Sequence, residues 1–320
     1  MLAEEYPRSL MELEANFATE EACRTYLARL RWPSGFRCPR CGLEKGWPVR
    51  DLWECVGCRR QTSVTAGTIF QDTRIPLPVW FRAMWWVTTQ KNGASALGLQ
   101  RVLGLKKYKA AWMMLHKLRR AMVRPGRDLL SGRVEVDECY VGGLEEGLPG
   151  RLNLEKALVV VAAQEDGPGI GRIRMRQIWN ASAESLMPFV QDSVAPGSVI
   201  HTDGWLGYSP LESKGYQHEV TFLKGKKKTP SELMPRVHRV ISLLKRWLIG
   251  THQGAVSQKH LDCYLDEFTF RFNRRRSKSR GKLFFRLAQQ AVAVDPVPYD
   301  QIVHAPSGKV RGKTQPVGAT

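Results

Sequence analysis

Residues 133–143 read Arg-Val-Glu-Val-Asp-Glu-Cys-Tyr-Val-Gly-Gly, and the alternation at their start decides the fold class. Successive side chains of an extended chain point to opposite faces, so Val134 and Val136 share one face while Asp137 lies on the other. The stretch predicts a strand with one apolar face, and Asp137 on the opposite face just before a glycine pair. Moving outward, the apolar run 157–163 and the alternation of Ile173 and Met175 with Arg172, Arg174 and Arg176 predict two further strands. A helix capped by Ser182 is expected to run to Val194, and Pro196-Gly197 turns the chain into a fourth short strand, 198–202, that ends at Asp203. Helical spacing then occupies 231–249 and 257–272. The order β-β-β-α-β followed by helices predicts an α/β domain built on a mixed sheet.

Two strand-end carboxylates have chemical meaning in such a layout. Asp137 stands before Gly142-Gly143, and Asp203 is followed directly by Gly204 in Ile-His-Thr-Asp-Gly-Trp. An acid held at the rim of a sheet beside glycine can grip a hard divalent cation where a large substrate approaches closely. Taken singly, a strand-end Asp is more often a turn-former. Two of them suit two-metal chemistry on a phosphodiester, with a pair of Mg2+ or Mn2+ ions about 4 Å apart.

The front of the chain has a different texture. Cys38-Pro-Arg-Cys41 and Cys55-Val-Gly-Cys58 form two CxxC knuckles thirteen residues apart, enough for four thiolates around one structural Zn2+ with no ligand position left open. So short a segment has no hydrophobic core of its own without such a staple. Seven cysteines, an odd number, suit a reducing compartment better than a disulfide framework. One or two short helices are expected over 12–30, with Thr19 a possible internal cap. Between residues 76 and 124 the period is helical again, and Trp80, Trp85 and Trp86 are expected in the core of that region.

Charge names a class of partner. The 320 residues carry 49 Lys plus Arg against 30 Asp plus Glu, a formal excess of +19, and the usual relief for such self-repulsion is a polyanion. From Asp72 to Asp128 no acidic residue intervenes, whereas twelve Lys and Arg do. Within this stretch Ser95 opens a short helix, Gly104 supplies a turn, and the segment from Lys106 onward forms a second, basic helix suited to the major groove. Its DNA-contacting candidates are Lys106, Lys107, Lys109, Lys117, Arg119 and Arg120; Lys226 and Lys227 in a basic loop and Arg274, Arg275 and Arg276 are further phosphate-binding candidates. The start of the chain is acidic, and no run approaches the roughly 18 apolar residues that a bilayer span requires. A cytoplasmic, nucleoid-associated protein without a signal peptide or membrane association is expected.

The runs CPRCG, VEVDECYVGG, HTDGWLGY and HRVISLLKRWLIGTHQGAVSQKHLDCYLDEFTFRFNRR together resemble bacterial insertion-sequence transposases of the ISXO-like group, which join an amino-terminal zinc ribbon to an RNase H-like DDE domain. The resemblance covers roughly residues 17–276 and implies binding of terminal inverted repeats, metal-dependent cleavage of double-stranded DNA, strand transfer, and a homo-oligomer on DNA. It also implies that Asp137 and Asp203 are the first two catalytic acids. Where such transposases have a third acid, Glu lies seven residues before a helical lysine; counting back from Lys245 reaches His238 instead. Thirty-four residues separate Asp203 from His238, and seven residues are nearly two helical turns, so His238, Ser242 and Lys245 share a face. Four readings of the third position stand: His238 as ligand or proton-transfer group, an inactive degenerate copy, a replacement acid at Glu267 or Asp266, and an ordinary surface histidine. Lys245 would meet a phosphate near the cleavage site. The domains expected are N-terminal helices at 1–35, the zinc ribbon at 36–65, a helix-turn-helix-like region at 66–127, the RNase H-like domain at 128–285 and a tail at 286–320. Residues 125–127 are the expected hinge. Competing functions are a zinc-ribbon DNA-binding regulator without catalysis and a nuclease of the same fold that does not join.

Overall fold

The computed structural model describes residues 4–124, 126–142, 156–222 and 229–304. Pro125 of the expected hinge, and Lys226 and Lys227, lie outside these. The chain forms two units, one of Met1–Arg127 with Asp266–Ile302 and one of Asp128–Leu265 with Val303–Thr320.

The first unit opens with α1 (Leu10–Asn16) and α2 (Glu20–Arg31). Thr19 does cap α2, its hydroxyl accepting from the Ala22 N–H. A small antiparallel sheet follows, β1 (Gly46–Val49), β2 (Leu52–Cys55) and β3 (Gln61–Ser63) in that order. Three helices come next: α3 (Leu77–Thr89), α4 (Ala96–Leu103) and α5 (Tyr108–Ala121). Ser95 caps α4 through the Gly98 N–H, and Gly104 ends it in the left-handed conformation that favours glycine. Trp80 and Trp85 are buried in the core with Phe81, Met84 and Leu99, and Trp86 packs half-buried against it.

The second unit is a five-stranded mixed sheet of order β6-β5-β4-β7-β8. Its strands are β4 (Arg133–Val141), β5 (Ala157–Asp166), β6 (Gly169–Ile178), β7 (Val199–Thr202) and β8 (Gln217–Val220). The first three pair antiparallel, while β7 runs parallel to β4 and β8 parallel to β7. This is the RNase H-like arrangement. Val159 to Ala163 are fully buried, as befits a strand covered on both faces. On one face Val134, Val136, Val160 and Ala162 pack with Leu186, Phe189 and Val190 of α6 (Ala183–Ser193) and with Tyr208. On the other, α7 (Pro230–Leu233) leads into α8 (Pro235–His252), which lies on β4 and β5 through a stripe at helical spacing, Val237, Val240, Ile241, Leu244 and Leu248. α9 (Leu261–Asn273) carries the chain from this unit back into the first.

Three features differ from the sequence expectation. β8 is absent from it, because Gln-His-Glu-Val is a short edge strand, mostly exposed and without apolar alternation. The Ser182 hydroxyl makes no capping bond; the Asn180 side chain accepts from the Ser182 N–H and the Ser185 hydroxyl in its place. The chain after Asp266 belongs with the first unit rather than with a domain ending at 285. Phe270, and Phe284, Phe285, Leu287 and Ala288 of α10 (Arg280–Ala291), complete the core that α1 to α5 leave open. The tail expected from 286 is thus helical and buried to Ala291, a further short helix, α11, covers Tyr299–Val303, and residues 305–320 lie outside those described.

Candidate active site

The register of β4 and β7 brings the two predicted aspartates together. These parallel neighbours pair Arg133 with Val199, Val134 with Ile200 and Glu135 with His201. Two residues beyond the last pair stand Asp137 on one strand and Asp203 just past the end of the other, on chains roughly 5 Å apart. Asp137 sits on the face opposite Val134 and Val136, as alternation requires, and is half-buried. Its Oδ1 accepts from the Glu138 N–H at 2.8 Å. The Asp203 Oδ1 accepts from the Trp205 N–H at 3.0 Å, a local turn that fixes the carboxylate. That turn needs glycine next: Gly204 has φ +81°, and a Cβ there would fall 2.6 Å from Val220 Cγ1.

His238, in the first turn of α8, faces the same place. Its Nε2 lies 3.8 Å from Asp137 Oδ2, and this buried nitrogen has no hydrogen-bond partner. Burial lowers the His238 pKa below the ordinary imidazole value, against the opposing pull of the Glu135 and Asp203 charges. Burial thus favours the uncharged imidazole, the form with a lone pair to offer. Two carboxylates and one imidazole, those of Asp203, Asp137 and His238, lie near one strand end, with His238 against Asp137 and the Asp203 charge felt at the ring, but their ligand atoms are not all within 4.8 Å of one another. That donor set, with an orphaned buried nitrogen in it, fits a divalent cation of intermediate hardness. Lys245 is exposed on α8; its charge reaches Cys139, whose thiol burial pushes up to about 12 while Lys245 pulls the other way.

Sequence reasoning missed two groups here. Tyr208 is fully buried and donates to Glu138 Oε2 at 2.9 Å. Burial, then the Glu138 and Asp137 charges, raise its phenol well above the ordinary tyrosine value, and Asp203 adds to the effect. Glu135 is also buried, its Oε2 accepting from the backbone N–H groups of Arg236 and Val237. Glu135 is visible in the sequence as the residue sharing a face with Asp137, but nothing local indicates its partners a hundred residues away. Glu267, a candidate replacement acid, lies in the first unit, completely buried against Arg119 with Nε to Oε2 at 2.8 Å. It is a counter-ion in the core.

The four cysteines converge as expected. Among the described residues, Cys38, Cys41, Cys55 and Cys58 form the one cluster whose ligand atoms all lie within 4.8 Å of one another. Cys38 and Cys58 sulfurs are 3.5 Å apart, as are those of Cys41 and Cys55. A tetrahedron with Zn–S bonds of about 2.3 Å has edges of about 3.8 Å, so the spacing fits a four-thiolate ion. Phe36 stacks on Trp53 with ring centres 5.6 Å apart and supplies the small core beside the cysteines.

The basic candidates divide. Lys106, Lys107, Lys109 and Arg120 are exposed, the first two before α5 begins at Tyr108 and Lys109 with its ammonium 3.6 Å from the Tyr299 ring centre. Lys117 is half-buried, its ammonium 3.5 Å from the Gln71 carbonyl. Arg119 departs from the expectation: at 2% exposure and paired with Glu267, it presents nothing to a phosphate. Arg275 and Arg276 are exposed, Arg275 lying over the Phe272 ring, whereas Arg274 is half-buried over Phe270. Arg271, beside them, donates to the carbonyls of Val87, Gln90 and Lys91 and so closes the C-terminus of α3. No described helix is long and apolar enough to cross a membrane.

Comparison with known proteins gives two family matches. Residues 18–61 match the transposase zinc-ribbon domain of the IS1595 group, and residues 129–273 match the ISXO2-like transposase domain. A protein of Halobacterium salinarum, described as an uncharacterized protein in transposable element ISH50, is 27% identical over 276 residues, covering 80% of this chain and 91% of its own. Among solved structures, the Mos1 strand transfer complex is 14% identical over 72% of this chain and 78% of that one, with a TM-score of 0.26. A pre-cleavage Mos1 transpososome is 12% identical over 72% and 79%, also with a TM-score of 0.26.

Proposed function

We propose that the chain, which matches the ISXO2-like transposase domain and the transposase zinc-ribbon domain, is a transposase that cuts and joins double-stranded DNA at the ends of an insertion sequence, using Asp137, Asp203 and His238 as its metal-holding group. The observation that supports the reading is the His238 Nε2 at 3.8 Å from Asp137, otherwise without a partner, beside the neighbouring strand end that carries Asp203. Divalent ions held there would stabilise charge on the attacking and leaving oxygens of a phosphodiester. Asp137 and Asp203 supply hard oxygen ligands fixed by local backbone N–H bonds, so little reordering is needed when an ion binds. His238 fills the third position as a neutral donor. Lys245, exposed on the same helix, meets a phosphate of the DNA. The ribbon holds one structural zinc and grips the duplex backbone together with Lys106, Lys107, Lys109 and Arg120. Arg275 and Arg276 make further phosphate contacts, and the protein works in the cytoplasm as a homo-oligomer on DNA.

The test is incubation of the full-length protein with a labelled duplex carrying the element's terminal inverted repeat, in Mn2+ or Mg2+. Cleavage with joining supports the reading, cleavage alone indicates a nuclease, and a gel shift without either indicates a regulator. Asp137→Asn and Asp203→Asn are each expected to lose about 100-fold or more in cleavage while still binding DNA. An Asp137→Asn protein that cuts like the wild type would remove the carboxylate site from consideration.

A further inference from the structure

The N-terminus of α8 has an unusual anchor. Its N-cap residue, Met234, provides no side-chain acceptor, and Pro235 has no N–H to satisfy. The next two donors, the Arg236 and Val237 N–H groups, both go to Glu135 Oε2 at 2.8 Å. Glu135 belongs to β4, so the cap of this helix is supplied by the sheet. Its other oxygen accepts from the Arg236 guanidinium at 3.1 Å. Arg236 also reaches Glu165 Oε1 at 2.6 Å, and Glu165 in turn meets Arg133, which is paired with Glu219. One ionic chain thus ties α8 to β4, β5 and β8.

We propose that Glu135 is a positioning residue that pins the first turn of α8 to β4 and thereby sets His238 against Asp137. The inference rests on the reading of Asp137, Asp203 and His238 as the metal-holding group. Glu135 and Asp137 share one face of the same strand, two residues apart, or roughly 7 Å. On the helix, Val237, which Glu135 holds, is the residue before His238. Each side of the His238–Asp137 approach is therefore within two residues of the same carboxylate. Glu135 is 1% exposed and engaged by three donors, so it acts through His238 rather than on an ion. A negative charge at a helix N-terminus is also favoured by the helix dipole.

The experiment measures Mn2+ affinity of the full-length protein by electron paramagnetic resonance for the wild type, Glu135→Gln, His238→Ala and the double variant. Hydrogen exchange of the first turn of α8 is followed alongside. Glu135→Gln is isosteric but puts an amide donor where donors converge. It should weaken Mn2+ binding about 10- to 100-fold and speed exchange at Arg236 and Val237. In the His238→Ala background the same substitution should have no further effect on Mn2+. A residue that merely stabilises the domain would cost the same factor in both backgrounds, and that result overturns the proposal. So does wild-type Mn2+ affinity in Glu135→Gln. If Glu135→Gln fails to fold, Arg236→Met removes only the guanidinium contacts; it should weaken Mn2+ binding by a smaller factor, again only when His238 is present, and no weakening overturns the proposal. Asp137→Ala separates the two levels of the argument. If it abolishes Mn2+ binding while Glu135→Gln is silent, positioning alone fails; if Mn2+ binds unchanged, the metal-holding group fails and Glu135's role with it.

Discussion

Replacing Glu267 by alanine tests the assignment of Arg119 most directly. Arg119 on α5 and Glu267 on α9 are 148 residues apart in sequence, and their side chains are 2% and 0% exposed with the Nε to Oε2 contact at 2.8 Å. A guanidinium does not shed its proton in a protein, so Glu267→Ala leaves the Arg119 charge in the core of the first unit without this carboxylate. Breaking such a pair from one side costs about 3–5 kcal/mol. At about 2–4 °C per kcal/mol for a unit of this size, the first thermal transition should fall by about 6–20 °C. Tryptophan fluorescence reports it, since Trp80, Trp85 and Trp86 lie in the same core. The double replacement Arg119→Met with Glu267→Met removes both charges and should recover most of the loss, because a desolvated pair returns little net stability. Binding of this double variant to duplex DNA should keep the salt slope of the wild type. Two results would refute the reasoning. One is a loss below about 1 kcal/mol in Glu267→Ala, which means Arg119 stays solvated. The other is a slope reduced by about 0.9 in the double variant, which means Arg119 does neutralise a phosphate.

Zinc should be present at one ion per chain, as a site of four cysteines requires, and chelation under reducing conditions should unfold the segment around β1 to β3. Limited proteolysis is the check, and a metal-free preparation with a protease-resistant ribbon would contradict the assignment. Changing exposed Lys106, Lys107 and Lys109 together to glutamine should lower the slope of log affinity against log salt by up to about 2.7 units, about 0.9 for each phosphate left without its lysine. Fluorescence anisotropy across a salt series measures this, and an unchanged slope would put the DNA elsewhere. His238→Glu should shift the metal preference of cleavage from Mn2+ toward Mg2+, since a carboxylate is the harder ligand. The rate ratio in the two metals reads it out, and a ratio equal to that of the wild type would separate His238 from the ion.

What can be read from sequence follows the range of each interaction. The ribbon is legible because its ligands come in CxxC pairs whose geometry is local, and the sulfurs converge as that spacing requires. Asp137 is legible because a period of two assigns its face without any knowledge of neighbours. His238 comes from a count along one helix that the resemblance suggests, and the helical stretch exists, opening as α7 at Pro230 and continuing as α8 from Pro235 after a break at Met234. The apolar character of Phe270, Phe284 and Leu287 announces burial but does not say against what, and the answer is the helices of the first unit. Arg119 escapes a sequence reading for a related reason. A run of basic residues on a helix looks like one charged face, whereas residues 117, 119 and 120 point in three directions at about 100° per residue. Only the fold shows that one of them meets a buried acid.

The third position of the site is where sequence and structure bear on each other most closely. A glutamate at 238 would add a carboxylate beside Asp137, with Asp203 and Glu135 both close enough to be felt by the side chain there. At an effective dielectric of about 20, two like charges about 4 Å apart repel by about 4 kcal/mol, which only a bound cation would relieve. A neutral imidazole avoids that cost while keeping a ligand atom in place, so α8 can settle on the sheet before any ion arrives. Glu135 then performs a task the local sequence of α8 does not, closing the helix N-terminus from the strand that bears Asp137. The histidine and the buried glutamate are two parts of one arrangement: the helix is held by a carboxylate that is already paired, and burial favours the uncharged form of the imidazole that faces Asp137.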